Sequence, residues 1–215
     1  MPMHDWKSQH RGAFHNFRFL WLAQLLNRLN DETLPSGHFA MAERACDGSE
    51  CEQLSDVYAL KANRIAIHHE LGEVVAIIEL VSPGNIDCRN AIRMFVDKAR
   101  NLLLKGVNLL VVDPFPPGPR DPQGIHQAIW EQFTDAPFEL PPEKPLTIAA
   151  YQAMPNLTTY IEPIAVGDPL PVMPLFLDWN LHINVPLEES YQTTWNVLPV
   201  ELRRLVDLES PRQNG

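Results

Sequence analysis

A strand, a helix and a second strand, read in that order between Val74 and Asp113, leave this chain few folds to choose from. Val74 to Val81 is a short apolar run stopped by Pro83-Gly84-Asn85, the pattern of a buried β-strand. Asn85 or Asp87 is placed to cap a helix that runs to Lys105, with Ala91, Ile92, Phe95, Ala99, Leu102 and Leu103 as its buried stripe. Gly106 is a natural helix stop, and Val107 to Val112 is a second apolar strand that ends at Asp113-Pro114. A crossover helix between two such strands most simply makes them parallel neighbours.

Upstream, Phe14, Phe17, Leu20, Trp21, Leu25, Leu26 and Leu29 recur at three-to-four spacing and predict a helix over 12–34, closed by Pro35-Ser36-Gly37. His38 to Glu43 is a candidate first strand, and Cys46 to Leu54 reads as a turn or loop. A second strand region runs from Asp56 to His69, with Gly72 at the hairpin turn into Val74. The order helix, strand, strand, strand, helix, strand predicts an α/β fold with a mixed sheet.

Downstream, Pro114, Pro116, Pro117, Pro119 and Pro122 predict a stiff exposed connection before a short helix over Ile125–Phe133. Three strand candidates follow, Leu146–Ala150, Thr158–Ile164 and Leu175–Asp178, with Pro163, Pro169, Pro171 and Pro174 expected to keep them short or at edges. Glu188 to Val206 reads as a terminal helix interrupted near Pro199, and the tail after Glu209 as disordered. The expected organisation is one domain overall, an α/β core with its N-terminal helix over 1–134 and a proline-rich C-terminal extension packed on it over 135–215.

Charge and cysteine content narrow the functional classes. With 27 acidic against 17 basic residues the net charge is -10, which disfavours broad non-specific nucleic-acid binding but leaves room for a local basic groove. No apolar run approaches the roughly 18 residues of a membrane span, and the opening segment lacks a basic region followed by an apolar one, so a cytoplasmic chain without a secretory leader is expected. Cys46, Cys51 and Cys88 are an odd, small set that suggests free thiols. Cys46 and Cys51 lack a second Cys/His pair at finger spacing, which argues against zinc.

The chemistry rests on one residue. Glu79 sits inside the apolar run Ala76-Ile77-Ile78-Glu79-Leu80-Val81, and a carboxylate there is costly unless a cation, a metal or hydrogen bonds meet it. Asp56, on the neighbouring strand region, is placed to share a hard divalent cation such as magnesium with it. Lys98, on the following helix, is placed to stabilise developing negative charge or orient a water. The plainer alternatives are a strand-entry role for Asp56 and a solvated helix face for Lys98. Arg64, Arg89, Arg93, Lys98 and Arg100, with Lys61, add basic content nearby, for phosphates or for an ordinary charged helix face. His68-His69-Glu70 lacks the spacing that sets two imidazoles on one helix face, so solvated strand-end histidines are expected. Ser82 lacks a nucleophile-elbow motif and reads as a turn or capping residue.

The run Val74 to Asn85, the helix with Lys98, and the strand Gly106 to Asp113 resemble a bacterial family, the domain of unknown function 4058 group. Its hallmark is a strand of type E-[IVL]-[LV]-S-P-x-N, a helix with a lysine and a strand ending in aspartate. The segments Met3-His4-Asp5-Trp6 and Phe115 to His126 look like further features of it. The resemblance implies a restriction-endonuclease-like, PD-(D/E)XK core over 37–113, and so a magnesium-dependent nuclease or phosphodiesterase. Glu79 and Asp56 would then be the metal ligands, with Glu79 and Lys98 as the catalytic pair and nucleic acid as the partner. Two positions depart from that pattern: Val81 stands where the E-x-K motif has its lysine, and Ser55 precedes Asp56 where the motif has proline. The alternative is a catalytically inactive binding or assembly module on the same fold, using its proline-rich surface and Trp130, Trp179 and Trp195. A homodimer is in keeping with such a core.

Overall fold

A computed structural model describes residues 3–6, 11–43, 64–70 and 72–209. Helix α1 spans Arg11–Arg28 and runs into a π-helical turn, Leu29–Thr33. The strands β1 (His38–Glu43), β2 (Arg64–His69) and β3 (Val74–Leu80) form an antiparallel meander, with Gly72 at positive φ (86°) in the β2–β3 turn. A short helix, α2 (Pro83–Ile86), leads to α3 (Arg89–Leu104) and then β4 (Asn108–Asp113), which lies parallel to β3. The loop after β4 leads to α4 (Gly124–Trp130). Strands β5 (Leu146–Gln152) and β6 (Thr158–Ile164) add antiparallel to β4, completing a six-stranded sheet of order β1-β2-β3-β4-β5-β6. A separate hairpin, β7 (Met173–Asp178) and β8 (Leu181–Val185), precedes α5 (Leu187–Val197) and α6 (Val200–Glu209).

The sheet is the middle of three layers. Side chains alternate across it, so Glu79, Val111 and Ala149 share one face while Ile78, Leu110 and Ala150 share the other. Helices α3 and α4 cover the first face. Helix α1, with α5 packed on it, and the β7–β8 hairpin cover the second. The α1 stripe expected from periodicity is the one buried: Phe14, Phe17, Trp21, Leu25 and Leu29 are in the core. Residues Met3–Trp6 form an arm over this layer. The Met3 N–H donates to Asp168 O (2.8 Å), and the His4 ring stacks on Trp195 at a centroid distance of 3.6 Å. Trp6 is also buried.

Several expectations need correction. The cap of α3 is Cys88, whose Sγ accepts the Ala91 N–H at 3.4 Å; Asn85 is used one turn earlier, accepting from the Ser82 N–H (2.9 Å) and Oγ (2.7 Å). The proline-rich connection is not simply exposed: Pro114, Phe115 and Asp121 are buried, and the Phe115 ring meets Phe14 edge-on. Strand β5 is interior and β6 is a sheet edge, so the sheet runs across residues 134–135. Trp195 is 1% exposed and belongs to the core, where it packs against the arm, so it offers no partner surface. Trp179, by contrast, is exposed. The break at Pro199 falls between α5 and α6 as expected. The predicted loop from Cys46 to Leu54, the start of the second strand region at Asp56, and the tail after Glu209 lie outside the described residues. No helix among the described residues is long and apolar enough to cross a membrane.

Candidate functional site

Glu79 is 3% exposed and lies on the α3 side of the sheet. The antiparallel register sets Arg64 of β2 directly beside it and Glu43 of β1 beside Arg64. Three strands therefore carry an acid–base–acid row. Arg64 Nη2 meets Glu43 Oε2 at 2.9 Å, and Arg64 Nη1 stands 3.9 Å from Glu79 Oε1. Lys98 comes down from α3. Its Nζ donates to Glu79 Oε2 at 3.0 Å and sits 2.9 Å from Oε1, a contact outside hydrogen-bond geometry. Both oxygens of this buried carboxylate therefore face the Lys98 ammonium. The Lys98 ammonium also lies 4.9 Å from the Phe95 ring, a cation–π distance.

Arg18 of α1 approaches from the opposite layer, its Nε donating to Leu80 O at 3.1 Å. Burial lowers the pKa of that guanidinium, and the Glu79 carboxylate partly offsets the shift. His68 is not a merely solvated histidine: its Nε2 lies 3.2 Å from Glu43 Oε1 and its ring stacks on Phe39. A groove of about 620 Å³ runs beside α3. Lys98, Asn85, Asn101, Met94 and Phe95 line it, so Lys98 joins this groove to the buried carboxylate.

Of the sequence-predicted site residues, Glu79 and Lys98 are brought into contact, and Asp56 lies outside the described residues. Among the described residues, no group of three or more His, Cys, Asp or Glu side chains is placed to hold a metal. Magnesium asks for less than that, being commonly held through one or two carboxylates with retained waters. The hard oxygen of Glu79 suits it.

A second polar cluster lies where β4 leaves the sheet. Asp113, two residues beyond Val111 on the Glu79 face, accepts the Phe115 N–H at 3.2 Å, so it caps the turn. Burial pushes its carboxyl up to about 7; the Asp121 carboxylate adds to the shift, and N–H groups of Phe115 and Ile125 oppose it. His126 of α4 shares a 2.7 Å hydrogen bond between its Nδ1 and the Tyr151 hydroxyl, while its buried Nε2 has no hydrogen-bond partner among the described residues. Burial lowers His126 to about 4 and raises Tyr151. His126 escapes a reading of the chain because its partner is 25 residues away and no spacing rule joins them.

No family model, no curated protein and no solved structure matches this chain.

Proposed function

We propose that this chain is a magnesium-dependent phosphodiester hydrolase of the restriction-endonuclease-like type, related to the domain of unknown function 4058 family and acting in the cytoplasm. The observation that carries the reading is the Glu79–Lys98 contact, a buried acid on β3 met by a lysine from the crossover helix. Val81 leaves the usual lysine position apolar, and Lys98 reaches the same carboxylate from the other direction. The order of α1, the β1–β3 meander, α3 and parallel β4 is in keeping with such a core.

In this reading Glu79 and Asp56 hold the ion. The bound metal supplies Lewis acidity and an activated water. Glu79 would contribute its carboxylate as Lys98 turns away from it. Lys98, a quarter exposed, turns from Glu79 toward the groove and balances the charge that grows on the phosphoryl oxygens. Calorimetry with magnesium and manganese, followed by hydrolysis of single- and double-stranded DNA, tests this. Binding by the native chain should be lost in Glu79→Gln, while Lys98→Gln should bind metal and lose hydrolysis by roughly a hundredfold or more. A native chain that binds neither ion rejects the reading.

One observation favours the alternative, a binding or assembly module that does no chemistry. Glu43, Arg64, Glu79 and Lys98 form two acids and two bases in one connected row, which balances without a metal. On that reading Glu79→Gln changes stability and nothing else.

A further inference from the structure

A second groove, about 540 Å³, lies between α3 and α4, on the side of α3 away from the Lys98 groove. Its apolar lining is Ile92, Val96 and Ala128, and three guanidinium groups border it: Arg89, Arg93 and Arg120. Arg89 and Arg93 stand about one helical turn apart, roughly 6 Å along α3. Arg120 arrives from a turn fixed in advance. Gly118 N–H donates to Asp121 Oδ1 at 2.9 Å, Asp121 N–H returns to Gly118 O at 3.3 Å, and Gly124 N–H donates to Asp121 O at 2.8 Å. A Cβ on Gly118 would stand only 3.0 Å from Asp121 Oδ1, so glycine permits this closure. Asp121 is buried, whereas Arg120 next to it projects outward.

Three guanidinium groups face two carboxylates at this groove, an excess of one positive charge. Asp97 and Glu131 also border it. Asp97 is taken up by Arg93 in an exposed pair at 3.7 Å, and Glu131 accepts from Gln127 Nε2 at 2.8 Å. Among the described residues, Arg89 and Arg120 have no carboxylate partner within ion-pair distance. Two unpaired guanidinium groups face one groove in a chain of net charge -10. Arginine presents a planar fork that matches phosphate oxygens two at a time and stacks on base faces. The exposed Arg93–Asp97 pair is worth little and yields readily to a phosphate.

We propose that the α3–α4 groove binds the phosphate backbone of a single nucleic-acid strand through Arg89, Arg93 and Arg120; the choice of nucleic acid rests on the hydrolase reading above. The groove, about 540 Å³, takes a short stretch of a single strand. Its apolar floor meets sugar and base, and its rim meets phosphate.

The test is fluorescence polarisation of a labelled oligothymidylate in EDTA, where hydrolysis is silent. The native chain and Glu79→Gln should bind alike. The exposed triple variant Arg89→Ala/Arg93→Ala/Arg120→Ala should bind roughly tenfold or more weakly, with its log–log salt slope shallower by about 2. Circular dichroism melting of the triple variant checks that its fold is kept, and Arg120→Glu alone should weaken binding in the same direction. The proposal is overturned if the native chain does not bind, if the triple variant binds as tightly as the native chain, or if oligoglutamate competes as well as the oligonucleotide. Binding in EDTA without hydrolysis in magnesium removes the hydrolase reading and keeps the groove; hydrolysis with unchanged binding in the triple variant does the reverse.

Discussion

Glu79 is held by charges that come from two different elements, and the two contacts are unequal. Lys98 touches both carboxylate oxygens from the helix, whereas Arg64 remains 3.9 Å away and gives its closer contact to Glu43. Removing one partner of a buried pair leaves an uncompensated charge, which costs roughly 3–5 kcal/mol. Lys98→Met is therefore expected to destabilise the protein by about 3 kcal/mol, the lower end, because Arg64 partly remains. Glu79→Gln is expected to cost only about 1 kcal/mol, since the freed Lys98 side chain, 25% exposed, can turn toward water. Urea unfolding of both variants checks the asymmetry; equal losses would mean the pair is not where the charge is balanced. The apolar run around Glu79 already demanded a counter-charge, and that much was legible in the sequence. Which cation answers was only partly legible. Lys98 could be named from the helix that follows, but Arg64 is set beside Glu79 by the β2–β3 register, which shifts by one residue between Ile67 and His68 and so cannot be counted back from the turn.

Elements whose signals are local were readable: α1 from its 3.6-residue stripe, β3, α3 and β4 from apolar runs bounded by proline and glycine. For the later strands β5 and β6 the sequence marked the segments, Leu146–Ala150 and Thr158–Ile164, but not their place in the sheet. Strand β5 lies near prolines, yet no proline interrupts Leu146–Gln152, and it is buried between β4 and β6. Pro163 falls in β6, an edge strand, where a missing N–H is tolerated. Strand β8, Leu181–Val185, is short, largely exposed and exists through its pairing with β7, so the chain alone gives it little signal. The other edge, β1, is blunted by a side chain. Asn30, in the π-helical turn, donates Nδ2–H to Ala40 O (3.0 Å) and accepts the Ala40 N–H on Oδ1 (2.7 Å). This pair occupies backbone groups that would otherwise face outward from the sheet edge. Asn30→Ala is expected to cost about 1–2 kcal/mol and to speed hydrogen exchange at the Ala40 amide specifically. An unchanged Ala40 exchange rate would show that the edge is held by something else.

For the molecule as a whole, two buried groups set opposing pH dependences over the same interval. Asp113 has its carboxyl raised to about 7, so between its unfolded pKa near 4 and neutrality the native protein keeps a proton that the unfolded chain has released. Its contribution is present in acid and is lost as pH rises toward 7. His126 is lowered to about 4, so from its unfolded value near 6.5 downward the unfolded chain takes up a proton that the native protein refuses. Its contribution is present at neutrality and is lost as pH falls. Each effect is on the order of 3 kcal/mol at full extent, which makes them comparable and of opposite sign. The native chain should therefore show a shallow stability profile from pH 4 to 7 in so far as these two groups decide it. Asp113→Asn removes the term that favours acid, and the variant should lose stability steeply as pH falls from 6.5 to 4. Replacing His126 by Gln removes the other, and that variant should gain stability on the same descent. Guanidinium unfolding at several pH values through this interval reads both slopes, and slopes of the same sign in the two variants would refute the opposition.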